Sequence, residues 1–250
     1  MKSVKCVFAA TAFAAIAAGG SLFAAGAASL PTAAPLHTLG VKAVYPRLSG
    51  LADTKTQTRV NALLAAKEKE DRSAYADCLS QLKEAKMTPD KDTYSEEIWV
   101  RYLSTRFLSI EVSTSYDCAG AYPNNGVETP ITVDLGSATP IDWTKAFKPG
   151  FLPAENADES APASVLTKIY RARYSKAKDD ADCLQAITEQ DPFASAPIVW
   201  LDAKSGIVFQ PDFPHVIAAC ATPLTLTPAQ IAPYLKDATL IADLKATVHK

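Results

Sequence analysis

The chain has 250 residues, of which 48% are hydrophobic and 21% are charged, and its formal net charge at pH 7 is −2. This composition is typical of a globular protein, with enough chain for one large domain or two small ones around a substantial core. Because there is no basic excess, the composition argues against a nucleic-acid-binding surface.

The first 28 residues have the pattern of a secretory signal peptide. Lys2 and Lys5 supply a positive start, and residues 6–28 are almost wholly small and apolar, without a single charge. Residues 25–27 (Ala-Gly-Ala) fit a cleavage signal, although the apolar run is also long enough for an uncleaved membrane anchor. We therefore predict a bacterial protein that is periplasmic or secreted and has no membrane span once the signal is cleaved.

Four of the five cysteines lie beyond this segment. An even number of cysteines in an exported protein predicts two disulfides, and three pairings are open. Their order along the chain favours Cys78–Cys118 and Cys183–Cys220. A four-cysteine zinc site is the alternative, but no two cysteines have the C-x-x-C spacing typical of such sites.

After a short linker at residues 29–40, alternating residues at 41–45 predict a first strand. Thr54-x-x-Gln57 has the pattern of a capping box, and a helix is expected to follow it. A second helical run places Tyr75 and Cys78 on one apolar stripe.

The polar connection after these helices carries Asp90, Asp92 and Glu96 at alternate positions. This is only a weak calcium-loop pattern, because the turn glycine and the glutamate at the twelfth position are missing. We predict no metal and no cofactor for this chain.

Residues 98–135 contain runs in which apolar and polar residues alternate, as in strands, and the last of these runs ends at Gly136. We predict strands at 98–103, 107–116 and 129–135 and a short amphipathic element at 141–147. The Pro- and acid-rich residues 151–162 are a candidate break between two subdomains.

The last part mixes helical and extended patterns. We predict helices at 163–177, 183–187 and 227–235, and strands at 197–201, 206–210 and 216–220. Strands in runs, with helices in separate runs, predict an α+β fold in which helices pack on one face of an antiparallel sheet. The expected folded unit is a single domain at 41–250.

Three segments of the sequence, taken in their order along the chain, resemble a known family. The first, 41–64, reads VKAVYPRLSGLADTKTQTRVNALL; the second, 108–150, reads LSIEVSTSYDCAGAYPNNGVETPITVDLGSATPIDWTKAFKPG; and the third, 205–235, reads SGIVFQPDFPHVIAACATPLTLTPAQIAPYL. In this order they resemble the RsiV-like domain family. The resemblance implies an extracytoplasmic α+β domain, of a kind found in lysozyme-sensing anti-sigma factors and beside peptidoglycan deacetylase domains.

The chain departs from that family where activity is concerned. Tyr122 stands where the family often has His, and neither a deacetylase block nor a sigma-binding part is recognisable. What the resemblance implies for this chain is therefore a binding surface.

The sequence contains little that resembles a known catalytic motif. The histidines His37, His215 and His249 are isolated in sequence, and there is no G-x-S-x-G motif. A carboxylate pair of the glycosidase kind stays open, because acidic residues are plentiful.

Binding residues are expected around the central turn, where Tyr116, Tyr122, Asn124 and Asn125 are candidates and Cys118 would anchor the loop. His215 is a further loop candidate, and a purely structural role for all of them is the alternative. We predict a non-catalytic binding module for a cell-wall protein or glycan, with lysozyme and peptidoglycan as candidate partners. The alternative functions are a cell-envelope hydrolase with an unrecognised carboxylate site and a scaffold without a small ligand.

Overall fold

The computed structural model describes residues 45–90, 93–119, 124–154, 163–174, 181–189, 191–193, 198–213 and 215–248. This part of the chain forms antiparallel sheets and α-helices, which confirms the α+β class. None of the helices in these ranges is both long and apolar enough to cross a membrane.

The elements follow one another in a mixed order. The first half contains helix α1 (Thr54–Glu84), strands β1 (Tyr94–Leu103), β2 (Phe107–Tyr116), β3 (Asn124–Glu128), β4 (Ile131–Asp134) and β5 (Thr139–Pro140), and helix α2 (Trp143–Ala146). The second half contains α3 (Val165–Tyr174), α4 (Ala181–Glu189), β6 (Ile198–Asp202), β7 (Gly206–Gln210), a 3-10 helix (His215–Cys220), β8 (Leu224–Leu226), α5 (Pro228–Ile231) and α6 (Ala238–Thr247).

Helix α1 is one continuous helix of 31 residues, where the sequence predicted two. The residues between the two predicted runs are Ala, Lys, Glu, Asp, Arg and Ser, with neither Gly nor Pro to end a helix. The predicted capping box is wrong as well. Asp53 is the N-cap and accepts from the Lys55 N–H, whereas the Gln57 side chain accepts from the Leu51 N–H.

The first sheet has the order β1-β2-β4-β5, and β3 also pairs with β2. Its central strand, β2, is buried on both faces from Phe107 to Val112. Leu108, Ile110 and Val112 belong to a core cluster that also contains Val60 and Leu64 of α1. One face of the sheet is therefore covered by α1. Predicted strand residues 41–44 lie outside the described part of the chain.

The second sheet has three strands in the order β6-β7-β8 and packs against the other face of β2. Ser109, which is fully buried, hydrogen-bonds Thr132 at 2.8 Å and accepts from the Leu201 N–H at 3.0 Å. A register shift at Arg101 of β1 accompanies a 2.9 Å hydrogen bond from the Ala203 N–H to the Arg101 carbonyl. These buried polar contacts join the two sheets.

Two predictions for the second half are wrong. Residues 216–220 lie in the 3-10 helix rather than in a strand, and the short strand β8 pairs with β7 instead. The helix that begins after Thr227 has the capping box Thr227–Gln230 and ends at Ile231, before Pro233. A proline lacks the N–H that a continuing helix needs, so α6 forms as a separate helix.

Both disulfides have the pairing that the order of the cysteines favours, Cys78–Cys118 and Cys183–Cys220. Cys78 lies on the buried stripe of α1, as its helical spacing predicts. The first disulfide ties α1 to the segment after β2, and the second ties α4 to the 3-10 helix.

Gly136 leaves room for the Arg106 side chain. A Cβ atom at Gly136 would lie 2.4 Å from Arg106 Nη1, and the guanidinium pairs with Asp134, with Nη2 2.9 Å from Oδ2. We expect Gly136→Ala to displace the guanidinium and to lower the free energy of unfolding by ~1 kcal/mol, the scale of an exposed ion pair. Urea denaturation measures the change. In an Arg106→Gln background the same substitution should be neutral, and an undiminished loss there would contradict the explanation.

Candidate functional site

A row of three tyrosines lies at one end of the layer formed by α1 and the first sheet. Tyr75 of α1 contacts Tyr94 of β1 with ring centroids 5.1 Å apart, and Tyr94 stacks on Tyr116 of β2 at 6.4 Å. All three side chains are half-buried, so each still presents an edge or a face to solvent. We call Tyr75, Tyr94 and Tyr116 the tyrosine row.

The Cys78–Cys118 disulfide holds the elements that carry this row. Tyr75 is three residues before Cys78 on α1, and Tyr116 is two residues before Cys118. The Asp117 N–H also donates to the Thr93 carbonyl at 2.9 Å. The row therefore has a covalent link on one side and a backbone hydrogen bond on the other, so the elements that carry it are preorganised for a binding event.

Carboxylates lie beside the row, under α1. Glu96 is two residues after Tyr94 on the same face of β1, is only 7% exposed, and interacts electrostatically with Asp71 and Glu68 of α1. We call Glu68, Asp71 and Glu96 the acid cluster. Burial first, and then the charge of Asp71, raise the pKa of Glu96 to about 7, while Lys67 opposes the rise. Within the described residues, Glu96 Oε1 has no hydrogen-bond partner.

The other two carboxylates of the acid cluster are well partnered. Asp71 accepts from the Tyr45 hydroxyl at 2.5 Å and lies 3.1 Å from Lys67 Nζ. Glu68 pairs with Arg47 at 2.6 Å and with Arg72. Burial, together with the hydrogen bond to Asp71, raises the pKa of Tyr45, so this hydroxyl stays protonated.

Glu96 and Asp71 have different hydrogen-bonding environments. At neutral pH Glu96 is close to half protonated, whereas Asp71 has a cation and a hydroxyl donor beside it. A substrate would have to reach a side chain that is 93% buried, which the present geometry prevents. No group of three or more potential metal ligands occurs among the residues that the structure describes.

The structure brings together only some of the residues predicted for a site. Tyr116 lies in the tyrosine row, and its Cα is opposite that of Asn124 in the β2–β3 pairing. Asn125 follows in β3, whereas His215 begins the 3-10 helix beside the second sheet. Tyr122 lies outside the described residues, and so do the side chains of Asn124, Asn125 and His215.

Sequence reasoning missed most of this region. Tyr94 and Asp71 are not among the residues that the sequence patterns single out, and Glu96 appears there only in the weak calcium-loop pattern. The signal that could have found the first two is the alternation of β1, which puts Tyr94 and Glu96 on the face of Ile98. No local signal places Asp71 next to them, because its contact with Glu96 spans 25 residues of chain.

Comparisons with known proteins identify the fold but no activity. No protein-family model and no curated protein matches the chain. A crystal structure of a DUF3298 family member from Bacteroides fragilis NCTC 9343 is similar, with a TM-score of 0.50 and 15% sequence identity. The alignment covers 87% of this chain and 96% of that chain. The likeness concerns the fold alone, and DUF3298 denotes a domain of unknown function. It does not establish the resemblance to the RsiV-like family.

Proposed function

We propose that this protein is a non-catalytic binding module of the bacterial cell envelope and that the tyrosine row, with the loop anchored at Cys118, is its binding surface. The partner is a cell-wall-related protein or glycan, with lysozyme and peptidoglycan as the first candidates. The two disulfides support an extracytoplasmic location, because such bonds persist in oxidising compartments.

The observation that carries this proposal is the row of three half-exposed tyrosines on covalently linked elements, in which the Tyr75 and Tyr94 rings contact at a tilt and the Tyr94 and Tyr116 rings stack. Tyrosine offers a large amphipathic contact area with few rotatable bonds, which is why it is enriched at protein-binding hot spots. Aromatic faces also pack against the apolar faces of sugar rings. The sequence blocks that resemble the RsiV-like family, whose members include lysozyme sensors, favour the same class of partner.

A second candidate function is glycan hydrolysis by Glu96 and Asp71. The observation in its favour is the contrast between a carboxyl group with a raised pKa and a paired carboxylate. Substrate binding would have to open the layer between α1 and β1 to expose Glu96.

One experiment separates the two functions. The mature, oxidised protein is immobilised and incubated with lysozyme or with purified peptidoglycan, and bound partner and released soluble glycan are measured in the same tubes. For a binding module we expect saturable retention without glycan release. Release that disappears in Glu96→Gln would instead establish the hydrolase.

Substitutions in the tyrosine row test its location. We expect Tyr94→Ala and Tyr116→Ala each to weaken retention by ~30-fold, the effect of losing a hot-spot residue. Tyr174→Ala is the control, since Tyr174 is a half-buried tyrosine of α3 whose ring contacts that of Tyr170 in the other half of the protein. Tyr122→Ala tests the rest of the loop. If Tyr174→Ala weakened retention as much as the substitutions in the tyrosine row do, the assigned binding surface would be wrong.

A further inference from the structure

A groove of about 870 Å³ opens between α3, the β6–β7 turn, β8, α5 and the end of α6. This volume is within the range of small-molecule sites. Its apolar wall includes Ile169 of α3, Leu226 of β8 and Pro228 of α5. None of these elements carries the tyrosine row or the acid cluster, so the groove is independent of the proposed function.

The charges that line the groove are all positive. Arg173 comes from α3 and Lys204 from the β6–β7 turn, and none of the described residues that line the groove is acidic. This is a local departure from a chain whose formal net charge is −2. Two cations on different elements, without a carboxylate between them, attract an anion.

The two cations also differ in their hydrogen bonds to the protein. The Arg173 guanidinium donates from Nη1 to the Thr225 carbonyl at 3.1 Å, which fixes it at the groove wall and leaves its other N–H groups for a ligand. Lys204 Nζ has no hydrogen-bond or ion-pair partner among the described residues, so its charge is available to a ligand. A fixed guanidinium suits a planar carboxylate particularly well.

We propose that this groove binds a small carboxylate with an apolar tail, whose headgroup lies between Arg173 and Lys204 and whose tail packs on Ile169, Leu226 and Pro228. The apolar wall provides favourable burial for the tail, and the two cations provide the headgroup contacts. The cations alone would not favour this amphiphile over a simple anion, and the apolar wall alone would not favour it over an uncharged apolar molecule.

The test uses octanoate as the probe, titrated into the oxidised mature protein at pH 8 by isothermal calorimetry. Octanol, which lacks the charge, and acetate, which lacks the tail, are titrated in parallel. We expect octanoate to bind at least ~10-fold more tightly than either. Lys204→Gln and Arg173→Gln should each weaken octanoate binding ~10-fold, the effect of one charge-assisted hydrogen bond.

Lys83→Gln is the matched control, because Lys83 is an exposed lysine near the end of α1, away from the groove. Ala172→Trp is the second variant; it fills the groove without removing a charge and should abolish binding. The proposal is overturned if octanol binds as well as octanoate, if Lys83→Gln acts like Lys204→Gln, or if octanoate up to ~10 mM shows no heat at either of two temperatures. Tighter binding of pentaglutamate than of octanoate would also overturn it and would assign the groove to an acidic peptide.

Discussion

Removing the Cys78–Cys118 disulfide as Cys78→Ala/Cys118→Ala is expected to lower the free energy of unfolding by ~4 kcal/mol and to weaken partner binding at least tenfold. The stability loss follows from the 40-residue separation of the two cysteines, which the bond constrains in the unfolded chain. The binding loss follows because this bond connects the helix of Tyr75 to the segment that follows Tyr116. Urea denaturation measures the first effect, and retention of the partner measures the second.

The second disulfide supplies the matched control. Cys183 and Cys220 are 37 residues apart, so Cys183→Ala/Cys220→Ala should cost nearly the same stability. That bond joins α4 to the 3-10 helix, away from the tyrosine row, and partner binding should be unchanged. Circular dichroism identifies a temperature at which both variants are folded. Equal losses of binding in the two variants would mean that stability, rather than the position of the row, controls the interaction.

Replacing Glu96 by Gln is expected to raise the free energy of unfolding by about 3 kcal/mol at pH 8 and to leave it nearly unchanged at pH 4. The pKa of Glu96 is raised from 4.5 to about 7 in the folded protein. Between these values the folded state binds a proton that the unfolded state has released, so the contribution of Glu96 to stability is lost as pH rises from 4.5 to 7. Above pH 7 the buried carboxylate is ionised and the loss is complete, whereas a neutral Gln at the same place avoids it.

The measurement is urea denaturation of both proteins at several pH values between 4 and 8, with the difference in unfolding free energy plotted against pH. Glu84→Gln, at the exposed end of α1, controls for the exchange of a carboxylate for an amide. A Glu96→Gln protein that is less stable than the parent at pH 8 would contradict the assignment. Such a result would mean that the ionised carboxylate of Glu96 has a favourable partner in the folded state.

Local sequence patterns predicted the strands well where alternation and turn residues agree. Gly206–Gln210 forms a strand with the predicted bounds, and Phe107–Tyr116 does as well. The strand predicted at 216–220 was wrong because its short apolar run fits a 3-10 helix as well as a strand. Its end is held by the disulfide at Cys220, and β8 occupies the place beside β7. Short apolar runs have no period that separates the two structures.

By itself, the sequence determined the α+β class and the two disulfides, and it predicts export. These properties depend on composition, on the order of the cysteines and on patterns within about ten residues, all of which can be read without knowing which distant segments meet. Only the tertiary structure decided that Tyr75, Tyr94 and Tyr116 form a row of ring contacts and that Glu96 lies buried beside Asp71. The groove of Arg173 and Lys204 also exists only after α3 packs on the second sheet. The physical reason is that burial, stacking and charge–charge interactions depend on distances between segments far apart in the chain, which no local pattern specifies.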